Sequence, residues 1–258
     1  MNTEIVRRLS PEEEELAKKR GELTALQAEL ADRELYLANL RVELSTFEGR
    51  YLREVGALYA ELDDWRAKVA QLTADAEGTV EARTAATEAR KQAEESYSAA
   101  HGEAAKAADF IPSAELKKLY RDVAKRVHPD LATDEANRAH RERSMAEANL
   151  AYQQGDVGAL RRILEEYESS PESVQGIGVA SDLVRVIRQI RQLQKRLVQI
   201  EVEIATLADS DSAKLKVKAE EASNQGRNLL QEMAQDVEKR INIGRQQFET
   251  LSAHKRNP

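Results

Sequence analysis

A leucine recurs every seventh residue from Leu9 through Leu16, Leu23, Leu30, Leu37 and Leu44, and Tyr51 and Leu58 keep step. A strict seven-residue repeat lays one apolar stripe along an α-helix and leaves it in water unless a second helix covers it. Elongated, paired helices are therefore expected. The companion heptad positions, Glu12, Lys19, Leu26, Arg33, Leu40 and Phe47, are half polar, so the stripe is one-sided. Beyond Phe47 the apolar residues fall at Tyr51, Val55, Leu58, Leu62, Trp65, Val69, Leu72 and Ala76. Steps of four at 47, 51 and 55 make a stutter, where a heptad supercoil locally unwinds. Ser10 reads as an N-cap and Pro11 as a first-turn residue, followed by four glutamates at the positive end of the helix dipole.

From Ala74 to Ala108 the large apolar residues give way to Ala, Glu, Thr and Lys. Helix propensity stays high there, with Gly78 and Gly102 as weak points. Unbroken, this N-terminal arm would be a rod of roughly 150 Å, and a bend at Gly78 is expected. The C-terminal third carries the cleanest pattern. After Ser181-Asp182, which read as a cap, Leu183, Val186, Ile190, Leu193, Leu197, Ile200, Ile204 and Leu207 alternate in steps of three and four. The run stops at Asp209-Ser210-Asp211-Ser212, and a second stripe follows at Leu229, Met233, Val237, Ile241, Phe248 and Leu251. So short a break favours an antiparallel helical hairpin over residues 181–254. A continuous helix paired with another chain is the alternative, and a homodimer through these arms is a further expectation.

Between the arms the pattern changes. Phe110-Ile111-Pro112 interrupts the helix, Ser113 caps a basic helical stretch from Ala114 to Val127, and His128-Pro129-Asp130 stops it. Residues 134–154 read as the next helix and contain Asn149-Leu150-Ala151-Tyr152. Gly155-Asp156 reads as a stop with a new cap, and Val157 to Tyr167 as a short further helix. Ser169 to Gly178 is a linker by composition. The expected organisation is an N-terminal coiled coil at 1–108, a small helical domain at 109–168, a linker at 169–180 and a C-terminal coiled coil at 181–254. The fold class is all-α.

A basic helix, an HPD loop and a second helix ending in N-x-A-Y together resemble the J-domain. That module lets a co-chaperone stimulate the ATPase of a DnaK-type, or heat shock protein 70, chaperone. The resemblance covers residues 113–167, and the flanks show neither a Gly/Phe-rich nor a Cys-rich region. The chain is thus similar to J-proteins defined by the J-domain alone. The resemblance implies that Lys117, Lys118, Arg121, Lys125 and Arg126 meet an acidic chaperone surface. It further implies that Asp130 pairs with a chaperone arginine, Pro129 holds the loop and His128 orients it. Tyr120 and Tyr152 match the family's packing tyrosines. Two features depart from the family pattern. No first helix precedes Ser113, so Ala99 to Ala108 is expected to substitute, with Phe110 and Ile111 as an apolar plug. Asp122 also stands where a basic residue is usual.

Other chemistry finds little support. The chain has no cysteine, and His101, His128, His140 and His254 lack metal-ligand spacing. No serine or cysteine nucleophile and no Gly-rich phosphate loop lies near His128. An enzyme is not expected, nor any metal or cofactor. With a net charge of −7 and no polybasic tail, nucleic acid is not the expected partner. No run of about 18 apolar residues exists to span a membrane. No apolar signal segment is visible, so the cytoplasm is the expected location. The expectation is a co-chaperone whose coiled-coil arms dimerise or hold a client or adaptor. The alternative is a coiled-coil scaffold with a vestigial J-domain.

Overall fold

The computed structural model describes residues 10–102, 110–132, 135–169 and 178–256, and every regular element among them is helical. The first helix, α1, runs Pro11–Tyr51 and opens on the expected cap. The Glu13 amide donates to Ser10 Oγ at 3.3 Å, and the Ser10 amide donates to Glu13 Oε2 at 2.8 Å. A π-helical turn, Leu52–Gly56, then leads into α2, Ala57–Glu77. The π turn coincides with the stutter. Its wider winding absorbs the extra residue that successive steps of four introduce, and it keeps Val55 buried.

Gly78 does more than bend the chain. It takes φ of 68°, the left-handed helix-ending conformation that glycine adopts without a Cβ clash, and its amide donates to the Ala74 carbonyl. Thr79 then caps α3, Val80–His101, by accepting from the Ala82 amide. α3 returns antiparallel along α2, with Ala70 and Ala74 against Ala82 and Ala86, and Ser96 donating to Asp63 at 2.7 Å. The bend expected at Gly78 is therefore a full reversal, and α2 and α3 form a hairpin. The alanines that looked like a fading pattern are the contact itself, because small side chains bury by close helix approach.

The remaining helices are α4 (Ala114–Val127), α5 (Glu135–Gln154), α6 (Val157–Ser169), α7 (Val179–Ala208), α8 (Asp211–Asn224) and α9 (Leu229–Arg256). A 3-10 turn, Pro129–Leu131, follows α4. Most of the expected linker, residues 170–177, lies outside the described residues. The chain divides into two compact units. One joins the residues up to Val42 to Ile111–Ala208; the other joins Glu43–Phe110 to Asp209–Pro258. These units cut across the sequence-based segments, because each C-terminal stripe pairs with an N-terminal one.

In the first unit α7 lies along α1. Leu16, Val186 and Ile190 form one buried cluster, bordered by Leu23, Leu26 and Leu183. Leu30, Leu37, Leu193 and Ile200 form the next, bordered by Leu197, Ile204 and Leu207. Arg20 bonds Asp182 at 2.9 Å, Arg196 bonds Glu34 at 2.8 Å and Arg41 bonds Glu203 at 2.7 Å, each pair separated by 162 residues. A constant separation means that the two helices run in the same direction in a single register. The polar members of the α1 stripe carry their own partners: Lys19 bonds Glu22 at 2.7 Å and Arg33 meets Glu201 at 3.1 Å.

In the second unit α9 covers α2. Leu62, Val237 and Ile241 are buried together beside Trp65, whose ring meets Phe248 edge-on at 5.7 Å. Gly244 sits where a Cβ would lie 3.3 Å from Trp65 Cβ, so glycine lets the helices approach. Phe47, Val55 and Leu230 form a further cluster with Leu215 of α8. The antiparallel hairpin expected over 181–254 is thus not the pairing seen. The stripe of α7 packs on α1 and that of α9 on α2.

Candidate functional site

The HPD turn links α4 to α5, and the ends of α4 explain its placement. Ser113 Oγ accepts from the Leu116 amide at 3.1 Å, starting the helix where the sequence indicated. Pro129 ends it, since the ring cannot continue the hydrogen-bond ladder. Leu131 and Ala132 amides then donate to His128 and Pro129 carbonyls, both at 3.0 Å, which closes the 3-10 turn.

The inner faces of α4 and α5 meet at two tyrosines. The Tyr120 and Tyr152 rings lie 4.7 Å apart and tilted, both fully buried. Tyr120 donates to Asn149 Oδ1 at 2.6 Å, and Tyr152 donates to Asn39 Oδ1 of α1 at 2.5 Å. Burial raises the Tyr120 phenol far above its ordinary range, reinforced by the nearby Glu34 carboxylate. Burial pushes Tyr152 up to about 12. Leu116, Val123, Val127, Met145, Ala148 and Leu160 complete the buried set around them. Arg161 of α6 ties back to Glu115 of α4, and Asp156 caps α6 by accepting from the Ala159 amide at 2.9 Å.

His128 is the surprise, because it is only 2% exposed. The Asp130 amide donates to its Nδ1 at 3.2 Å, which leaves Nε2 to donate to Glu34 Oε1 at 3.1 Å. Glu34 also accepts from Arg196 of α7 at 2.8 Å, and Arg196 holds Glu203 at 2.7 Å. Burial alone would raise the Glu34 pKa, but the His128 hydrogen bond and the Arg196 charge bring it below its ordinary value. Burial likewise disfavours the Arg196 charge, and the two carboxylates more than restore it. Glu34 occupies the flank of α1 between two buried stripes. On one side are Leu30 and Leu37, facing α7; on the other are Ala31, Leu35, Ala38 and Val42.

The rest of the turn is similarly held. Leu131 joins the cluster of Leu30, Leu37, Leu193 and Ile200, and its carbonyl accepts from Gln189 of α7 at 3.2 Å. Asp130 is 14% exposed at its side chain and faces Arg138 of α5 at 3.6 Å. Arg141 of α5, also buried, donates to the Arg126 and His128 carbonyls at 3.0 and 3.4 Å and stacks over Tyr167 at 5.2 Å.

Of the basic residues singled out in α4, Lys118, Arg121, Lys125 and Arg126 are exposed and Lys117 is half-buried. Arg121 bonds Asp32 of α1 at 2.5 Å. The structure therefore brings His128, Pro129 and Asp130 together beneath α1 and α7, while most of the basic side chains face outward. Ile111 is not a plug, since it is 87% exposed between Phe110 and the proline that turns the chain. Of the stretch expected to replace the first helix, residues 99–102 belong to α3 or its cap, and 103–108 lie outside the described residues. The contacts to α4 and α5 come instead from Asp32, Glu34 and Asn39.

Those three residues, with Arg141 and Arg196, carry no local signal in the sequence, being ordinary polar side chains on charge-rich helices. Among the described residues no group of three or more ligating side chains could hold a metal, and no helix is long and apolar enough to cross a membrane. No family model matches the chain, and no curated protein or solved structure matches it.

Proposed function

We propose that the protein is a co-chaperone of a DnaK-type ATPase. A J-like helical unit, α4 to α6, rides on a parallel two-stranded coiled coil made by α1 and α7. The observation that carries the reading is the geometry around the HPD turn. It joins two helices whose inner faces meet at Tyr120 and Tyr152, with the exposed cations Lys118, Arg121, Lys125 and Arg126 preceding it. In this reading the basic face of α4 steers the chaperone's acidic surface into contact. The turn then biases the chaperone toward ATP hydrolysis, and the protein itself catalyses nothing. The α8–α9 and α2–α3 arms hold a client or adaptor.

A second reading is favoured by the burial of His128. If the HPD turn serves only to pin α4 and α5 to α1, the protein is a helical scaffold and docks on no chaperone. Binding to an ATP-loaded DnaK-type chaperone, titrated at low and high salt, separates the two. Salt-sensitive binding that weakens several-fold in Lys118→Glu/Lys125→Glu is expected of the co-chaperone. No binding at low salt supports the scaffold.

A further inference from the structure

We infer that α1 and α7 form an autoinhibitory clasp over the HPD turn, so that the chain as folded holds its chaperone-docking element shut. The inference rests on the co-chaperone reading and concerns the regulation of the same site. Four polar ties close the clasp: His128 to Glu34, Arg121 to Asp32, Tyr152 to Asn39 and the Leu131 carbonyl to Gln189. Leu131 adds an apolar tie by entering the α1–α7 core. Both ring nitrogens of His128 are committed inside the unit, and Asp130 faces Arg138 of the same chain. A docking partner reaching for the histidine and the aspartate meets α1 and Arg138 first.

The clasp covers only part of the surface. Lys118 and Lys125 remain exposed. An acidic surface can therefore engage the basic face of α4 before the turn is released. Binding is then a two-step event, and stimulation needs the α1 contact to open. The population of the open form scales the apparent activity, so a clasp that is shut in ninety-nine molecules of a hundred lowers it about 100-fold. Weakening the ties from the α1 side, where Asp32 is exposed and Asn39 half-buried, raises stimulation without touching the turn.

The chain has no cysteine, so an engineered pair reacts alone. Ala132→Cys with Gln192→Cys places one thiol just after the turn and one on α7, around the same surface hollow, and leaves every tie of the clasp in place. Joined by a short cleavable bismaleimide, this full-length protein is assayed for stimulation of single-turnover ATP hydrolysis by a DnaK-type chaperone. Asp32→Ala/Asn39→Ala is assayed beside it. The expected result is stimulation before cross-linking, a fall of at least tenfold after it, and recovery on cleavage. The Asp32→Ala/Asn39→Ala protein is expected to exceed wild type several-fold. Equal stimulation by the open, cross-linked and loosened proteins overturns the clasp and leaves the co-chaperone reading standing. Absence of stimulation in all of them, the loosened protein included, overturns both.

Discussion

Replacing Glu34 with glutamine tests whether the buried carboxylate holds the first unit together. The amide keeps the volume and one acceptor oxygen but loses the charge that two donors now share, His128 Nε2 at 3.1 Å and Arg196 at 2.8 Å. Hydrogen bonds to a charged group contribute about 1.5–3 kcal/mol and neutral ones about half of that, so each bond loses on the order of 1 kcal/mol. The His128 bond sits at a fully enclosed site and loses the full amount. Arg196 keeps Glu203 at 2.7 Å, which softens its share. The sum is about 2 kcal/mol, which for a unit of this size lowers the melting temperature by about 5–8 °C. The sign of the pH dependence follows from the carboxylate. Its folded pKa is depressed relative to its unfolded value, so its contribution is complete above the ordinary value of about 4.3 and fades as pH falls through the lower folded value. Thermal unfolding of both proteins, followed by helical circular dichroism at neutral pH and again in acid, provides the measurement. The gap between them should be wide at neutral pH and close in acid, where wild-type Glu34 is itself protonated. A variant as stable as wild type at neutral pH, or a gap that persists unchanged in acid, refutes the reasoning.

Further outcomes follow from the same packing. Leu193 is fully buried in the α1–α7 contact, so Leu193→Ala should cost about 2–5 kcal/mol in denaturant unfolding, and a loss under about 1 kcal/mol would place its side chain elsewhere. Gly78→Ala puts a Cβ on a residue at φ of 68° and should destabilise the α2–α3 turn by about 1–2 kcal/mol; an unchanged midpoint contradicts the tight reversal. Because the stripes of α7 and α9 are filled within one chain, sedimentation equilibrium at micromolar concentration should give the 28.9 kDa mass, and a dimer would contradict that expectation.

Much of the helical layout was legible in the sequence because its causes are local. Ser10, Ser113 and Asp156 cap where they stand, Gly78 ends α2, and the steps of four at 47, 51 and 55 become a π turn. One cap was misplaced, since α7 begins at Val179 rather than after Ser181-Asp182. What the sequence conceals is pairing. A heptad stripe announces that a helix has a partner and says nothing of which one. The register is written in the flanking charges, where Arg20, Glu34 and Arg41 face Asp182, Arg196 and Glu203 at one constant separation, but those charges become informative only once α1 and α7 are compared. The alanines of α3 misled for a different reason. Scales of hydrophobicity score them low, whereas close helix approach needs small side chains. At the candidate site the motif drew attention to His128, and nothing adjacent in the chain pointed to Glu34, 94 residues away.

Single-turnover ATP hydrolysis by a DnaK-type chaperone, with Asp32→Ala/Asn39→Ala alone and with His128→Gln added to it, tests the central claim most directly. In the loosened background two of the ties are gone and the clasp opens more often, so more of the turn's own contribution is exposed. Stimulation that depends on His128 is the predicted result, with both proteins equally folded by circular dichroism. Hydrolysis at the unstimulated rate with both proteins would contradict it, as would stimulation that survives the loss of His128.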